Sequence, residues 1–236
     1  MAKMEKEQAR VLSQEMLAAG IYSMWIQTQA ADTAKPGQFI SMYTTDGSKL
    51  LPRPISICEI NKEESMLRVV YRIAGQGTKE FSTMQAGDTI EIVGPLGNGF
   101  ALKEGKNVLI GGGIGIPPML ALAKALKKDV TVVLGYRDSN LFLKEEFEPY
   151  AKVVIATDDG SVGTKGNVID AIREEELEAD TLYACGPMPM LRGVKAYAEE
   201  KDILAQVSLE EKMACGIGAC LGCVCQSKEK DSHSHV

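Results

Sequence analysis

Histidine is almost missing from this chain of 236 residues. Its only two, His233 and His235, stand among the last four positions, so no imidazole is available elsewhere to build an acid–base pair. Chemistry on an organic substrate is therefore expected to take place outside this chain. Long hydrophobic runs are missing as well. No stretch reaches the ~18 apolar residues of a membrane-spanning helix, and residues 1–12 alternate charges without the apolar segment of a secretory signal. Basic clusters are absent too: the formal net charge is −6, the pI is about 5.2 and no Lys/Arg block occurs. That balance excludes an electrostatic partnership with nucleic acid. The 23 glycines follow no fixed period, which excludes a solenoid. The charged runs 144–148 and 173–178 read as solvated helix faces. What remains is a chain without a membrane span, expected in the cytoplasm, long enough for one or two domains plus a small appendage.

Cysteine is the residue the chain concentrates. Four of its six cysteines fall in the segment EEKMACGIGACLGCVC, residues 210–225. The order Cys215, four residues, Cys220, two residues, Cys223 is the plant-type run for a 2Fe-2S cluster, in which thiolates hold two irons. Gly216, Gly218 and Gly222 separate these thiols. Such a loop has to turn several sulfurs inward and offer backbone N–H groups to them, which residues without Cβ permit. Zinc is the competing metal, but it favours two well-separated short Cys pairs. A disulfide framework is the third reading, and it fits poorly with these short spacings and with a reducing compartment. A plant-type cluster also needs a fourth ligand. It is either Cys225 or a residue beyond Val236. His233 and His235 do not form a Rieske pair, because Rieske ligands interleave Cys and His in two loops.

Residues 1–100 show short apolar runs broken by turn residues: ARVLSQEML, IYSMWIQT, FISMYTT, PISICEI, MLRVVYRI and DTIEIVG. This rhythm predicts an antiparallel sandwich or barrel. In LPRPISI, Pro52 and Pro54 set the backbone around Arg53, so that its guanidinium is presented at a fixed place, as a phosphate or planar ligand requires. Ser56 is expected on the same face. An edge strand with a surface arginine is the bland alternative. In VVYRIAGQGTKEF a strand runs into Gly75, Gly77 and Thr78 before a short helix expected over 79–84. Thr78 is expected to cap that helix, making an anion site for a pyrophosphate. A tight turn alone also accounts for the glycines. Cys58 reads only as a small buried thiol.

From residue 101 the period changes. KNVLIGGGIGIPPMLALAKALKK is an apolar strand, a glycine-rich turn and an amphipathic helix, and VTVVLGY, KVVIATDD, TLYACGP and ILAQVSL follow between helical segments. A doubly wound parallel sheet is predicted over 101–208. Gly111, Gly112, Gly113 and Gly115 occupy the first strand-to-helix turn, where a dinucleotide pyrophosphate meets a helix N-terminus. Pro117 and Pro118 break the usual GxGxxG, although proline suits a first helical turn. A tight turn remains the alternative here too. Tyr136-Arg137-Asp138 offers both an arginine for a 2′-phosphate and an acid for a ribose hydroxyl, so these residues leave NAD or NADP open. Asp158 and Asp159 read as an acidic turn.

The strings LLPRPISICEI and YRIAGQGTKEFS resemble the FAD domain of the ferredoxin–NADP reductase superfamily. Within it, they are similar to the electron-transfer subunits of NAD-dependent dihydroorotate dehydrogenases. The resemblance implies an antiparallel FAD-binding barrel (1–100), an NAD-binding α/β domain (101–208) and a small 2Fe-2S module (209–236). It implies that Arg53 contacts the flavin diphosphate, that Pro54 and Ile55 line the cofactor, and that Ser56 lies near the isoalloxazine edge. Val70, Tyr71 and Arg72 would border the ribityl and diphosphate, and Gly77 and Thr78 would bind the diphosphate. Cys185 would stand by the nicotinamide, although a strand cysteine is equally a small buried thiol. The resemblance favours NAD. It also implies a partner, an FMN-containing catalytic subunit, in a heterotetramer with two copies of each. A reductase subunit of another NAD(P)H-dependent complex, ferredoxin-linked transhydrogenase or sulfide dehydrogenase, shares the same order of modules.

Overall fold

The structure is a computed structural model. It describes residues 6–46, 50–211, 213–220, 222–226 and 233–235, with backbone alone for 225–226 and 233–235. The chain divides into two compact units, Met1–Gly99 with Glu210–Val236, and Phe100–Leu209. The cysteine segment thus belongs to the same compact unit as the first hundred residues.

In the first unit, strands β1 (Lys6–Ala18), β2 (Ile21–Gln27), β3 (Phe39–Met42), β4 (Arg53–Asn61), β5 (Met66–Arg72) and β6 (Thr89–Leu96) close into an antiparallel barrel of order β1-β2-β5-β4-β3-β6. Closure removes the exposed edges of a flat sheet. Alternation decides the faces: Met24, Ile26, Ile40, Met42, Ile57, Leu67, Val69 and Tyr71 point into one core, joined by Phe81. The intervening Ser23, Phe39, Ser41, Pro54, Ser56 and Arg68 take the outer face. Two short helices accompany the barrel, α1 (Ala30–Thr33) and α2 (Gln76–Phe81).

Helix α2 begins three residues before the expected 79–84. Gly75, in extended conformation, is its N-cap, and Thr78 stands one turn inside. From there the Thr78 hydroxyl oxygen reaches back to accept from the N–H groups of Ala74 (2.9 Å) and Gly75 (3.2 Å). Thr78 therefore secures the entry to the helix without being its cap residue. The expectation placed the start too late because it took the glycines for a turn, whereas Gly77 is already helical.

Gln14 of β1 ties α2 to the barrel. Its amide nitrogen donates to the Phe81 (3.0 Å) and Met84 (2.9 Å) carbonyls at the helix's far end, and its oxygen accepts from the Tyr71 hydroxyl at 2.7 Å. Tyr71 is enclosed, which pushes its phenol above the ordinary range, and it stays neutral. Gln14→Leu takes its partner from that hydroxyl and from the Met84 carbonyl, whereas the Phe81 carbonyl still accepts from the Met84 N–H at 3.1 Å. The substitution is expected to cost about 2–3 kcal/mol in urea unfolding, because unsatisfied buried groups lose ~1–3 kcal/mol each. Tyr71→Phe in the same background should recover part of the loss, and an unchanged midpoint for Gln14→Leu would show that the brace carries no stability.

In the second unit, β7 (Asn107–Gly112), β8 (Val130–Tyr136), β9 (Lys152–Thr157), β10 (Thr164–Lys165), β11 (Thr181–Cys185) and β12 (Leu204–Ser208) form a sheet of order β10-β9-β8-β7-β11-β12. Every pairing is parallel. Helices α3 (Pro117–Leu126), α4 (Lys144–Phe147), α5 (Val168–Glu174) and α6 (Met188–Lys201) connect the strands. Residues of α5 and α6 pack with Val108, Ile110, Val133, Leu182 and Ala184 in one core. The alternate residues Leu109, Val132 and Leu134, on the other face, are equally buried, as a sheet covered on both sides requires. The antiparallel barrel and the doubly wound sheet are the two architectures that the sequence predicts. Two short strands, β13 (Val224–Gln226) and β14 (His233–His235), pair antiparallel after Cys223. Among the described residues no helix is long and apolar enough to cross a membrane.

Candidate functional site: a barrel rim, a sheet switch point and a cysteine loop

The two motifs of the barrel meet in space. A Cβ placed on Gly77 would lie 2.1 Å from Arg53 Nε and 2.5 Å from its Cζ. The guanidinium therefore rests directly on the glycine of α2, and only a residue without a side chain leaves room for it. Arg53 Nη1 donates to the Leu51 carbonyl at 2.5 Å, which steadies the fork. Gly77 and Thr78 are buried and Arg53 is half-buried, so the guanidinium is held against the first turn of α2.

Strand register fixes the other residues. Ser56 was expected to share the face of Arg53, but it stands three positions along, and a period of two sends it to the opposite side. Pro54 pairs with Ser41 and Ser56 with Phe39 on the outer face, whereas Arg53 pairs with Met42 and Ile55 with Ile40 on the inner one. On β5, Tyr71 lies in the barrel core, stacked on Tyr22 and edge-on to Phe81. Val70 is buried on the outer face and Arg72 is exposed.

The second unit has its topological switch between β7 and β11, because the chain runs from β7 to β8 on one side and later returns to β11 on the other. Ligands of such sheets bind outside the carboxyl ends of the strands at that crevice. Gly111 pairs with Cys185 there. Gly112 ends β7, Gly113 (φ +53°) turns the chain, and α3 starts at Pro117. Gly115 packs against the other strand: a Cβ on it would lie 2.2 Å from the Cys185 carbonyl oxygen. Met190 of α6 fills the space above Gly112, its sulfur 2.5 Å from the place of a Cβ. Cys185 is 2 % exposed. At the end of β8, the Asp138 carboxylate accepts from the Asn140 backbone and side chain at 2.8 and 2.6 Å. Hydrogen bonds from the Ser161 side chain and from the Ser161 N–H, the latter at 2.9 Å, hold the Asp159 carboxylate below the usual carboxylate range. Both are engaged in turns.

In the cysteine loop, the Cys220 N–H donates to Cys215 Sγ and the Gly222 N–H to Cys220 Sγ, each at 3.4 Å. Backbone N–H groups of Ile217 and Cys220, together with the Cys220 thiol, lower the Cys215 thiol to about 6. Cys223 is buried. Among the described residues no three potential ligands already enclose a metal ion, and the Cys225 side chain lies outside them. The donor chemistry nevertheless suits an iron–sulfur centre: clustered thiols with backbone N–H groups turned onto sulfur favour the thiolate that ligates iron. Gly216 (φ +68°) brings this loop against the barrel, where a Cβ would meet Ser41 Oγ at 2.9 Å, Leu96 at 3.5 Å and Phe39 at 3.9 Å.

Comparison with known proteins decides the lineage. Residues 210–236 match the iron-sulfur cluster binding domain of dihydroorotate dehydrogenase B, and residues 109–196 the oxidoreductase NAD-binding domain. A protein of Caldanaerobacter subterraneus subsp. tengcongensis, named dihydroorotate dehydrogenase B (NAD(+)), electron transfer subunit, is 44 % identical over 98 % of this chain and 92 % of its own length. A Bacillus cereus protein of the same name is 41 % identical over 98 % and 93 %. The chain belongs to this family of electron transfer subunits. A solved structure of an NADH-dependent reduced ferredoxin-NADP oxidoreductase, described in terms of flavin-based electron bifurcation, superposes with a TM-score of 0.84. It is 32 % identical and covers 95 % of this chain and 83 % of that one. A Neisseria gonorrhoeae ferredoxin NADP+ reductase with bound FAD and NADP shares the fold at TM-score 0.72, with 17 % identity over 88 % and 100 % of the two chains.

In this family member, several residues that shape the site have no motif in the sequence. Gln14 and Ser41 act through contacts with residues 57 or more positions away, and Met190 acts through two glycine turns. No local pattern signals such pairings. The one available hint was strand alternation, which puts a polar serine amid the apolar run FISM.

Proposed function

We propose that this chain carries electrons between a dihydroorotate-oxidising catalytic subunit and NAD+, holding FAD, a 2Fe-2S cluster and the dinucleotide at three sites. The supporting observation is that the cysteine loop rests on Ser41 and Phe39, the strand partners of Pro54 and Ser56, so the loop and these two residues of the proposed flavin segment share the outer face of the barrel. Flavin exchanges electrons singly with iron–sulfur centres and in pairs, as hydride, with nicotinamide, which explains why one chain carries all three sites.

The chain's own residues prepare these exchanges. Arg53 supplies a charged, planar donor for the flavin diphosphate, Gly77 leaves the space for it, and Thr78 holds the helix entry in place. Pro54, Ile55 and Ser56 line the flavin, and Val70, Tyr71 and Arg72 form the neighbouring strand. Gly112, Gly113 and Gly115 let the dinucleotide pyrophosphate approach the start of α3, with Cys185 as a wall of the crevice. Cys215, Cys220 and Cys223 are the metal ligands. The chain's two histidines lie in its tail, and we assign proton abstraction from dihydroorotate to the partner, an FMN-containing catalytic subunit in a cytoplasmic assembly of two copies each. Electrons run from that FMN through the cluster and FAD to NAD+, in pyrimidine synthesis. The likeness to the bifurcating oxidoreductase favours a second reading, a reductase subunit feeding a ferredoxin-linked complex.

The purified chain is expected to show flavin bands with iron–sulfur shoulders, bleached by NADH. A colourless protein that binds zinc would exclude the proposal. Reconstitution with the catalytic subunit should give dihydroorotate-driven NAD+ reduction, and the absence of orotate would favour the second reading. Cys220→Ala is expected to abolish transfer to the partner while sparing NADH oxidation by artificial dyes. Loss of both activities together would contradict the assignment of the cysteines.

A further inference from the structure

Gly216 is where the cysteine segment touches the barrel. Its φ of +68° is one that L side chains rarely adopt, and the nearest atom to its missing Cβ is Ser41 Oγ at 2.9 Å. Ser41 is itself 2 % exposed, so its hydroxyl is enclosed between strand and loop. Leu96 and Phe39, at 3.5 and 3.9 Å, are in ordinary contact distance. The residue before Gly216 is Cys215, and the strand partner of Ser41 is Pro54. A single glycine thus lies one residue from a metal ligand and one strand from the flavin-lining segment.

We infer that Gly216 and Ser41 form a seat that sets the spacing between the iron–sulfur loop and the flavin strand. They are positioning residues, acting through Cys215 on one side and Pro54 on the other, and the inference rests on the cofactors proposed above. Each NADH oxidised to NAD+ delivers two electrons, and the cluster accepts one at a time. NADH would give the flavin a hydride, breaking its own C–H bond; one of those two electrons would then pass to the cluster while the other stays on the flavin. Because no bond between the two centres forms or breaks in that second passage, the protein's influence lies in how it places them and tunes their surroundings. A Cβ at position 216 would stand 2.9 Å from the enclosed Ser41 Oγ on a backbone at φ +68°, so either the hydroxyl turns away or the loop shifts.

The test uses the full chain, loaded with FAD and reconstituted with iron and sulfide, mixed with NADH in a stopped-flow spectrometer. Flavin and cluster bleaching are followed separately, and iron per flavin and the electron paramagnetic resonance of the dithionite-reduced protein are recorded on the same samples. Gly216→Ala is expected to leave flavin bleaching at the wild-type rate and to slow cluster bleaching about tenfold or more, the usual size of an outer-shell defect at a metal site. Gly216→Val should slow it further. Adding Ser41→Ala to Gly216→Ala removes the nearest atom in conflict and should restore the part of the rate lost to that contact, leaving the part lost to backbone strain at φ +68°. If Gly216→Ala instead sheds its iron, recovery of iron per flavin in the double variant supports the same seat. Wild-type cluster bleaching in both single variants, or no recovery on adding Ser41→Ala, overturns the inference. A wild-type chain that holds neither iron nor flavin fails earlier, and overturns the proposed function instead.

Discussion

Gly77→Ala is expected to strip the flavin from this protein while leaving it folded. The added methyl would lie 2.1 Å from Arg53 Nε and 2.5 Å from Cζ, inside the guanidinium itself. The arginine would have to swing off the helix, and its fixed presentation would be lost. Alanine suits a helix better than glycine, so α2 should persist and circular dichroism should be unchanged. Hydrogen bonds from a charged donor contribute about 1.5–3 kcal/mol each. Losing one or more of them to the diphosphate therefore weakens FAD binding by about one to two orders of magnitude. Fluorescence titration of the flavin-free protein measures this directly. Arg53→Ala should match the effect, and Arg53→Lys should retain part of the affinity, because a point charge replaces the fork but not its geometry. Wild-type affinity in Gly77→Ala would mean that Arg53 does not hold the diphosphate from where it stands.

Gly115→Ala is expected to separate the two redox reactions in the opposite sense, with flavin retained and reduction by NADH lost. Here the conflict is with backbone: the methyl would lie 2.2 Å from the Cys185 carbonyl oxygen, 2.4 Å from its carbon and 2.6 Å from Gly186 Cα. No side-chain rotation relieves it. The turn after β7 and the end of β11 must move apart, at the crevice proposed to hold the nicotinamide nucleotide. Misplacement of about 1 Å at such a site lowers rates by roughly a hundredfold. Stopped-flow reduction by NADH should therefore fall by about that factor, while dithionite still reduces the flavin. Gly113→Ala is the internal control. It has φ +53° but open space around its missing Cβ, so only backbone strain of about 1 kcal/mol is expected. Equal effects from the two substitutions would show that turn strain, not the contact with Cys185, governs the site.

The strands of both units were readable because burial on one face forces a period of two, and burial on both faces removes it. The iron–sulfur binding segment was readable for a related reason, since thiols that are to share a centre must be close along a loop. The reading failed where a residue's role depended on counting from an uncertain boundary. The start of α2 was placed three residues late, which made Thr78 a cap, and Ser56 was put on the face of Arg53 by the same kind of miscount. Neither Gln14 nor Ser41 carries a signal of its own. Their importance comes from partners brought near by barrel closure, and closure leaves no trace in a local window.

By itself the sequence determined the kinds of chemistry this protein can hold: a thiol loop, an arginine between prolines, two glycine turns, and no imidazole outside the tail. Composition and spacing settle these matters because they depend on side-chain type and on neighbours within a few residues. Only the tertiary structure decided which of these pieces meet. It laid Arg53 on Gly77, joined Gly115 to Cys185 across two parallel strands, and seated the cysteine loop on β3 beside Pro54 and Ser56 of β4. Those contacts span tens to hundreds of positions, and chain closure, not local preference, sets them.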